Sequence, residues 1–213
     1  MIKRLRDCHL YGIIDLAYVS PAQVVEVAAQ MIDGGIDIIQ LRAKKYIADD
    51  VCWLGEQLHP LTKQARIPLV INDHPEVAAN LGAEGVHVGQ DDLDVEQARG
   101  FAGYRTIIGK STHSFDQALA AAREGADYIG FGPLFSTPTK PDYTPIGLDE
   151  IALVHKALDI PIFCIGGIHI ENLRRVIAAG ARRVVIVSGI LKAPNVAAYT
   201  RGAKSMLEEA HGR

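Results

Sequence analysis

Apolar residues recur along this chain in two alternating rhythms. Short, near-continuously apolar runs, "LYGIID", "IDIIQLR", "IPLVIND", "EGVHVG", "RTIIG", "DYIGFG", "IPIFCIG" and "RRVVIVSG", have the pattern of parallel strands covered on both faces. Between them lie amphipathic stretches such as "PAQVVEVAAQMIDGG", "SFDQALAAAREGA" and "IENLRRVIAAGA", each closing in a glycine or Gly-Ala that suits a helix C-terminus. Repeated β–α units without a linker or composition break predict a (β/α)8 TIM barrel, one domain over residues 1–213. A doubly wound open sheet is the alternative, but it ordinarily has fewer strands.

A barrel places its working groups at the C-terminal ends of the strands and in the loops just beyond. Polar residues gather there: Gln40, Arg42 and Lys44 after the second run, Asn72 and Asp73 after the third, Gln90, Asp91 and Asp92 after the fourth. Lys110, Ser111, Thr112 and His113 close the fifth, while Gly166-Gly167 and Ser188-Gly189 close the last two. The sixth ends in "GFGPLFSTPTKPDYTPIG", far longer than a plain strand-to-helix connection. Its hydroxyls and Lys140, set among Pro138, Pro141 and Pro145, suggest a lid over bound substrates.

Composition narrows the chemistry. A net charge of -3 leaves no basic footprint for nucleic acid, so anion-binding groups must be local. No apolar run is long enough for a membrane span, and "MIKRLRDCHLYGIID" lacks the features of a signal peptide, so cytoplasm is the expected location. Cys8, Cys52 and Cys164 are too scattered for a disulfide framework or a zinc site. Cys164, inside "IPIFCIGG", reads as a buried small hydrophobe.

Asp73 and Asp92 follow neighbouring strands, which brings two carboxylates to one rim. Such a pair suits Mg²⁺, with oxygen ligands and positions left for water and substrate phosphate. The competing reading makes each aspartate the N-cap of its following helix. Gln40, Arg42 and Lys44 alternate at the end of a strand, with Lys44 in its last position or already in the loop, so their side chains start on one face and suit a polyanion. Arg42 paired to a nearby aspartate is the structural alternative. The glycine-bearing turns after strands seven and eight have the position of a phosphate-monoester site. His87 and His113 read as supporting groups, with His113 able to serve as an acid or base.

With these residues in place, the chain resembles the thiamine-phosphate synthase family. "QLRAK", "INDHPEVA", "GAEGVHVGQDD", "IIGKSTH", "GADYIGFGPLFSTPTK", "IGGI" and "VIVSGI" stand in the family's order over nearly the whole chain. The resemblance implies a transferase that joins an aminomethylpyrimidine diphosphate to a hydroxyethylthiazole phosphate, or its carboxylated form, releasing diphosphate with Mg²⁺. It implies a dissociative reaction: diphosphate departs first, and the thiazole nitrogen captures the pyrimidine carbocation. Carried over by motif, Asp73 and Asp92 hold the metal, and Gln40, Leu41, Arg42, Ala43, Lys44, Asn72, Ser111 and Lys140 contact the pyrimidine diphosphate. Arg42, Lys44, Lys140 and Ser111 take the catalytic roles, and Thr137, Pro138, Thr139, Gly167, Val187 and Ser188 meet the thiazole phosphate. Three positions depart from the family's habit: His74 for arginine, Lys110 for an apolar residue and Gly189 for alanine.

Two rival functions share the pattern. A thiazole tautomerase would use a histidine at His113 but has no need of two metal aspartates, and a non-catalytic barrel binding thiamine-pathway phosphates would need no metal pair. The expected partners are small phosphorylated substrates, with no nucleic acid and no membrane. An outer segment as apolar as "IALVHKALDI" allows a homo-oligomer, though packing against the barrel accounts for it as well.

Overall fold

Eight parallel strands close on themselves, each paired to the next and the eighth to the first. The structure is a computed structural model and describes residues 2–137 and 144–212. In chain order it runs β1 (Leu10–Asp15), α1 (Val24–Asp33), β2 (Ile38–Arg42), α2 (Ala48–Ala65), β3 (Leu69–Asn72), α3 (Pro75–Leu81), β4 (Gly85–Val88) and α4 (Val95–Ala102). It continues with β5 (Ile107–Thr112), α5 (Phe115–Arg123), β6 (Tyr128–Phe131), α6 (Ile151–Ala157), β7 (Ile162–Cys164), α7 (Ile170–Ala178), β8 (Val184–Ile186), α8 (Ser188–Leu191) and α9 (Val196–His211). All eight apolar runs are strands, and the (β/α)8 architecture follows the sequence pattern directly.

The alternation of side chains along each strand separates two cores. Leu10, Ile14, Ile39, Leu41, Ile71, Val86, Ile129 and Val184 face the helices and join the large outer cluster. Tyr11, Ile13, Ile38, Val70, Tyr128, Phe163 and Val185 point inward and fill the barrel. Aromatic packing fixes this filling: Phe163 meets Tyr11 edge-on at 5.4 Å and 90°, and Tyr128 at 5.5 Å and 81°. Gly109 is required beside it, because a Cβ there would lie 2.1 Å from the Tyr128 ring.

The lower end is tied by one buried carboxylate. Asp37 accepts from the amides of His9 and Leu10 at 2.8 and 2.9 Å, and from Lys204 at 2.6 and 2.7 Å, while Lys3 also pairs with it. These bonds join the N-terminal segment, the entrance of β1 and α9 at a single point. Burial works to raise the Asp37 pKa, but the Lys204 and Lys3 hydrogen bonds and the two amides outweigh it and hold it below the ordinary carboxylate value.

Candidate active site

The inward alternation that fills the barrel with aromatics lower down ends in polar side chains at the C-terminal rim. Asp15, Arg42, Asn72, Ser111, Thr137 and Ser188 all line one cavity there. Gln40 and His87 form its floor. The strand alternation sets these positions, as Asp15 stands two residues beyond the inward Ile13 and Arg42 two beyond Gln40.

Arg42 Nη1 donates to Asp15 Oδ2 at 2.6 Å, and the aspartate is almost wholly enclosed. The two are directly opposite across the β1–β2 pairing. The ion-pair reading of Arg42 is therefore realised, at the mouth of the cavity. The guanidinium lies in the cavity wall with its orientation already set.

Lys44 stands in the turn after β2, and its Nζ reaches Asp73 and comes within 3.7 Å of Asp92 Oδ1. An ammonium thus sits between the two carboxylates. Asn72 also donates to Asp73, and the Gly89 amide donates to Asp92 at 2.8 Å. Burial, with the neighbouring Asp92, raises the Asp73 pKa over the opposing pull of Lys44. For Asp92, burial also acts upward, yet the hydrogen bonds from Asp73, Gly89 and Lys44 bring its pKa below the ordinary value. Two close carboxylates that divide in this way share a demand for positive charge.

Neither aspartate is a helix cap. The N-cap of α3 is His74, which makes no capping bond, and that of α4 is Asp94, which accepts from the Gln97 amide at 2.7 Å. Asp73 instead adopts the left-handed region at φ 63°, unusual for a residue other than glycine, and its amide donates to the His87 carbonyl at 2.9 Å. Among the described residues no three His, Cys, Asp or Glu side chains gather as a metal cluster. The pair offers two oxygen donors on an open rim, a set that fits a hard cation keeping waters and substrate oxygens as its other ligands.

Beneath the rim runs a continuous hydrogen-bonded chain. Gln40 Nε2 donates to the Tyr11 hydroxyl at 2.7 Å; Tyr11 and Tyr128 hydroxyls are 3.0 Å apart; His87 Nδ1 lies 3.0 Å from Tyr128; and His87 Nε2 lies 2.9 Å from Ser111 Oγ. Burial pushes both phenols upward, so they remain neutral. Because the chain begins with a donor at Gln40, one consistent direction passes a donor along each link and leaves the Ser111 O–H to donate into the cavity. The Gln90 side chain also donates to the Ser111 carbonyl and holds that strand end.

The opposite wall is backbone. Gly166 and Gly167 have φ of 98° and 64°, which glycine adopts without penalty. A Cβ on Gly166 would stand 2.4 Å from Pro133, and one on Gly167 2.7 Å from Phe135. The chain leaving β6 lies directly on this turn, with the Leu134 amide bonded to Ile165 at 2.9 Å and that of Phe135 to Gly166 at 3.1 Å. Thr137 consequently meets the same cavity as Gly167, Val187 and Ser188. Pro138, Thr139 and Lys140, and the closing part of the expected lid, lie outside the described residues.

Two assigned contacts are placed differently from their neighbours. The side chains of Leu41 and Ala43 pack in the outer core, leaving only their backbone toward the rim. Asp15, Tyr11 and Tyr128 were absent from the sequence-derived set. Asp15 carried a signal, as the charged end of the apolar run "LYGIID"; the tyrosines carried none beyond a hydroxyl in a strand. His113, at the end of β5, lines the cavity with its Nδ1 against the Gly132 carbonyl.

A closed (β/α)8 barrel whose rim combines cations, paired carboxylates and a glycine turn defines an enzyme of phosphorylated substrates. The family model described as thiamine monophosphate synthase matches residues 10–190. The chain is 39% identical over 202 residues to the thiamine-phosphate synthase of Roseiflexus sp., covering 94% of this chain and 86% of that one. It is 43% identical over 180 residues to that of Thermus thermophilus, covering 84% and 85%. The solved thiamine phosphate pyrophosphorylase of Pyrococcus furiosus superposes with a TM-score of 0.88 at 31% identity, over 95% of this chain and 96% of that one. The chain belongs to the thiamine monophosphate synthase family, and it is a transferase of thiamine biosynthesis.

Proposed function

We propose that this chain joins 4-amino-2-methyl-5-(diphosphooxymethyl)pyrimidine to 4-methyl-5-(2-phosphooxyethyl)thiazole, giving thiamine phosphate and diphosphate. The observation that carries this reading is Lys44 set between Asp73 and Asp92 on the rim that also holds Arg42, Asn72 and Ser111. Such a place suits a leaving group that develops several negative charges.

In this reaction the bond between the pyrimidine methylene carbon and the diphosphate oxygen breaks, and its electron pair leaves with the diphosphate. The thiazole nitrogen lone pair then forms the new carbon–nitrogen bond. No enzyme nucleophile and no proton transfer are needed, so the protein's work is positioning and charge stabilisation. Arg42 and Lys44 receive the departing charge. Gln40 and Ser111 present an acceptor and a donor at the two ends of one buried chain, an arrangement that suits the edge of an aminopyrimidine. Gly167, Val187 and Ser188, which line the cavity, would face the second substrate's phosphate.

Asp73 and Asp92 would hold Mg²⁺, and two carboxylates brought together beside the cavity, with one lysine between them, support that assignment. When bound, the ion supplies charge neutralisation to the departing diphosphate. Lys44 orients the two carboxylates and remains at hand for the same anion. Lys140, Pro138 and Thr139 stand as expected contacts of the two substrates on the strength of the motif alone.

His113 on the cavity wall supports a second reading, a thiazole tautomerase in which it moves a proton. Chromatography of incubations with each phosphorylated substrate, singly and together, separates the two. The synthase requires both and yields thiamine phosphate; the tautomerase converts the thiazole carboxylate phosphate alone.

A further inference from the structure

The barrel's other end carries a basic pocket that the proposed reaction does not use. It lies between the loop entering β7 and the loop entering β8, lined by Arg6, His155, Asp159, Arg182 and Arg183. The strands enter here, whereas the rim described above lies where they leave.

The basic side chains of this pocket outnumber its one carboxylate, and no ion pair among the described residues engages them. Among the described residues, no carboxylate comes within 4.0 Å of a nitrogen of Arg6, Arg182, Arg183 or His155 in an ion pair, and Asp159, though it lines the pocket, makes none. Asp7 nearby is engaged by Arg4 at 3.0 Å. Burial, with the two arginines beside it, pushes His155 down to about 4, and burial with Arg182 and Arg6 also lowers Arg183 over the opposing pull of Asp7 and Cys8.

Hydrogen-bonding capacity is unspent as well. Arg183 Nη2 donates to the Arg6 carbonyl at 2.9 Å, but its buried Nε has no acceptor, and the buried Nε2 of His155 has no hydrogen-bond partner. Unpartnered buried donors are rare and costly. The backbone around them is fixed: the Arg183 carbonyl accepts from Cys164 at 3.0 Å, the Arg182 carbonyl pairs with His9 Nδ1 at 3.1 Å, and the Pro161 carbonyl accepts from Ile129 at 3.1 Å. These loops are clamped to the barrel, so the arginines stay close despite their repulsion.

We propose that Arg6, Arg182, Arg183 and His155 form a second anion site on the strand-entry face, built for a phosphate-type oxyanion. Guanidinium forks match tetrahedral oxyanions, and a multiply charged anion answers both the charge and the orphan Arg183 donor, and favours the protonated His155 that can donate to it. A neutral ligand would leave the charge unanswered, and a cationic one would add to it. The site does not depend on which reaction the rim performs.

The test follows the ring nitrogens of His155 by NMR in the full-length isotope-labelled chain, assigned with His155→Gln. Spectra are taken across pH with inorganic phosphate, with diphosphate, and with chloride at matched ionic strength. Phosphate is expected to raise the His155 midpoint by about one unit or more. Arg182 is exposed, so Arg182→Gln keeps the fold, and in it most of that rise should disappear. A parallel measurement at neutral pH compares phosphate-dependent thermal stabilisation, which should be smaller in Arg182→Gln than in the parent. Stronger action by diphosphate would mark a polyphosphate site, and equal action a single-phosphate site. An unmoved His155, an equal shift with chloride, or an undiminished shift in Arg182→Gln would overturn the proposal.

Discussion

The Nε2 of His87 lies 2.9 Å from Ser111 Oγ, and this bond is the upper end of a chain reaching Gln40 across the barrel. Substitution Ser111→Ala removes the donor at the cavity while leaving the chain below it. The expected result is a fall in kcat/KM of about tenfold or more with little change in stability, read from steady-state kinetics beside denaturant unfolding. Tyr128→Phe cuts the chain at its buried centre and should cost about 1–3 kcal/mol in the same unfolding experiment.

Arg42 and Asp15 form an enclosed ion pair at the cavity mouth. Asp15→Ala would leave the guanidinium partly buried without its anion, so a loss of about 3–5 kcal/mol is expected from denaturant unfolding. Arg42→Lys should not restore function, because an ammonium cannot keep the guanidinium's planar contact with Asp15 while facing the cavity.

Asp37 makes stability depend on acid. Its pKa in the folded chain lies below the unfolded value, so its contribution is fully present above about pH 4 and is lost as pH falls through the folded value. In Asp37→Asn, unfolding at neutral pH should require about 3 kcal/mol less, and stability should decline less steeply below pH 4 than in the parent. A parallel decline in both proteins would remove Asp37 from the acid response.

Gly189 is matched to Tyr199. An added Cβ would stand 2.5 Å from the Tyr199 hydroxyl, which accepts from the Ile170 amide at 2.9 Å. Gly189→Ala should therefore destabilise by about 1–3 kcal/mol. Combined with Tyr199→Phe, the double variant should lose less than the sum of the single losses, as contacting residues do in a double-mutant cycle. The departure from alanine at this position thus has a local cause.

Strand positions and barrel closure were legible because each strand is covered on both faces and so announces itself as an apolar run. The rim residues were legible for a related reason: a charged or amide side chain directly after such a run can only stand at a strand's end, as Asn72 and Asp73 do after "LVI". What escaped were relations across the barrel. That Arg42 would meet Asp15, or that Tyr11 and Tyr128 would carry hydrogen bonds from Gln40 to Ser111, depends on register between distant strands, which local periodicity does not encode. The competing cap assignments of Asp73 and Asp92 were separated only by seeing Asp94 take the α4 cap and Lys44 take the aspartates.

The metal assignment rests on that same pair. Asp92→Ala should lower turnover by about a hundredfold or more while the fold persists, because the residue stands at the rim outside both cores. Reduced stability with unchanged turnover would return Asp92 to a structural role.

The central claim is tested most directly by incubating the purified chain with both phosphorylated substrates, once with Mg²⁺ and once with excess chelator. Thiamine phosphate and diphosphate formed in equal amounts with Mg²⁺, and lost on chelation, are the predicted result. No product in either condition, from folded protein with verified substrates, would contradict it.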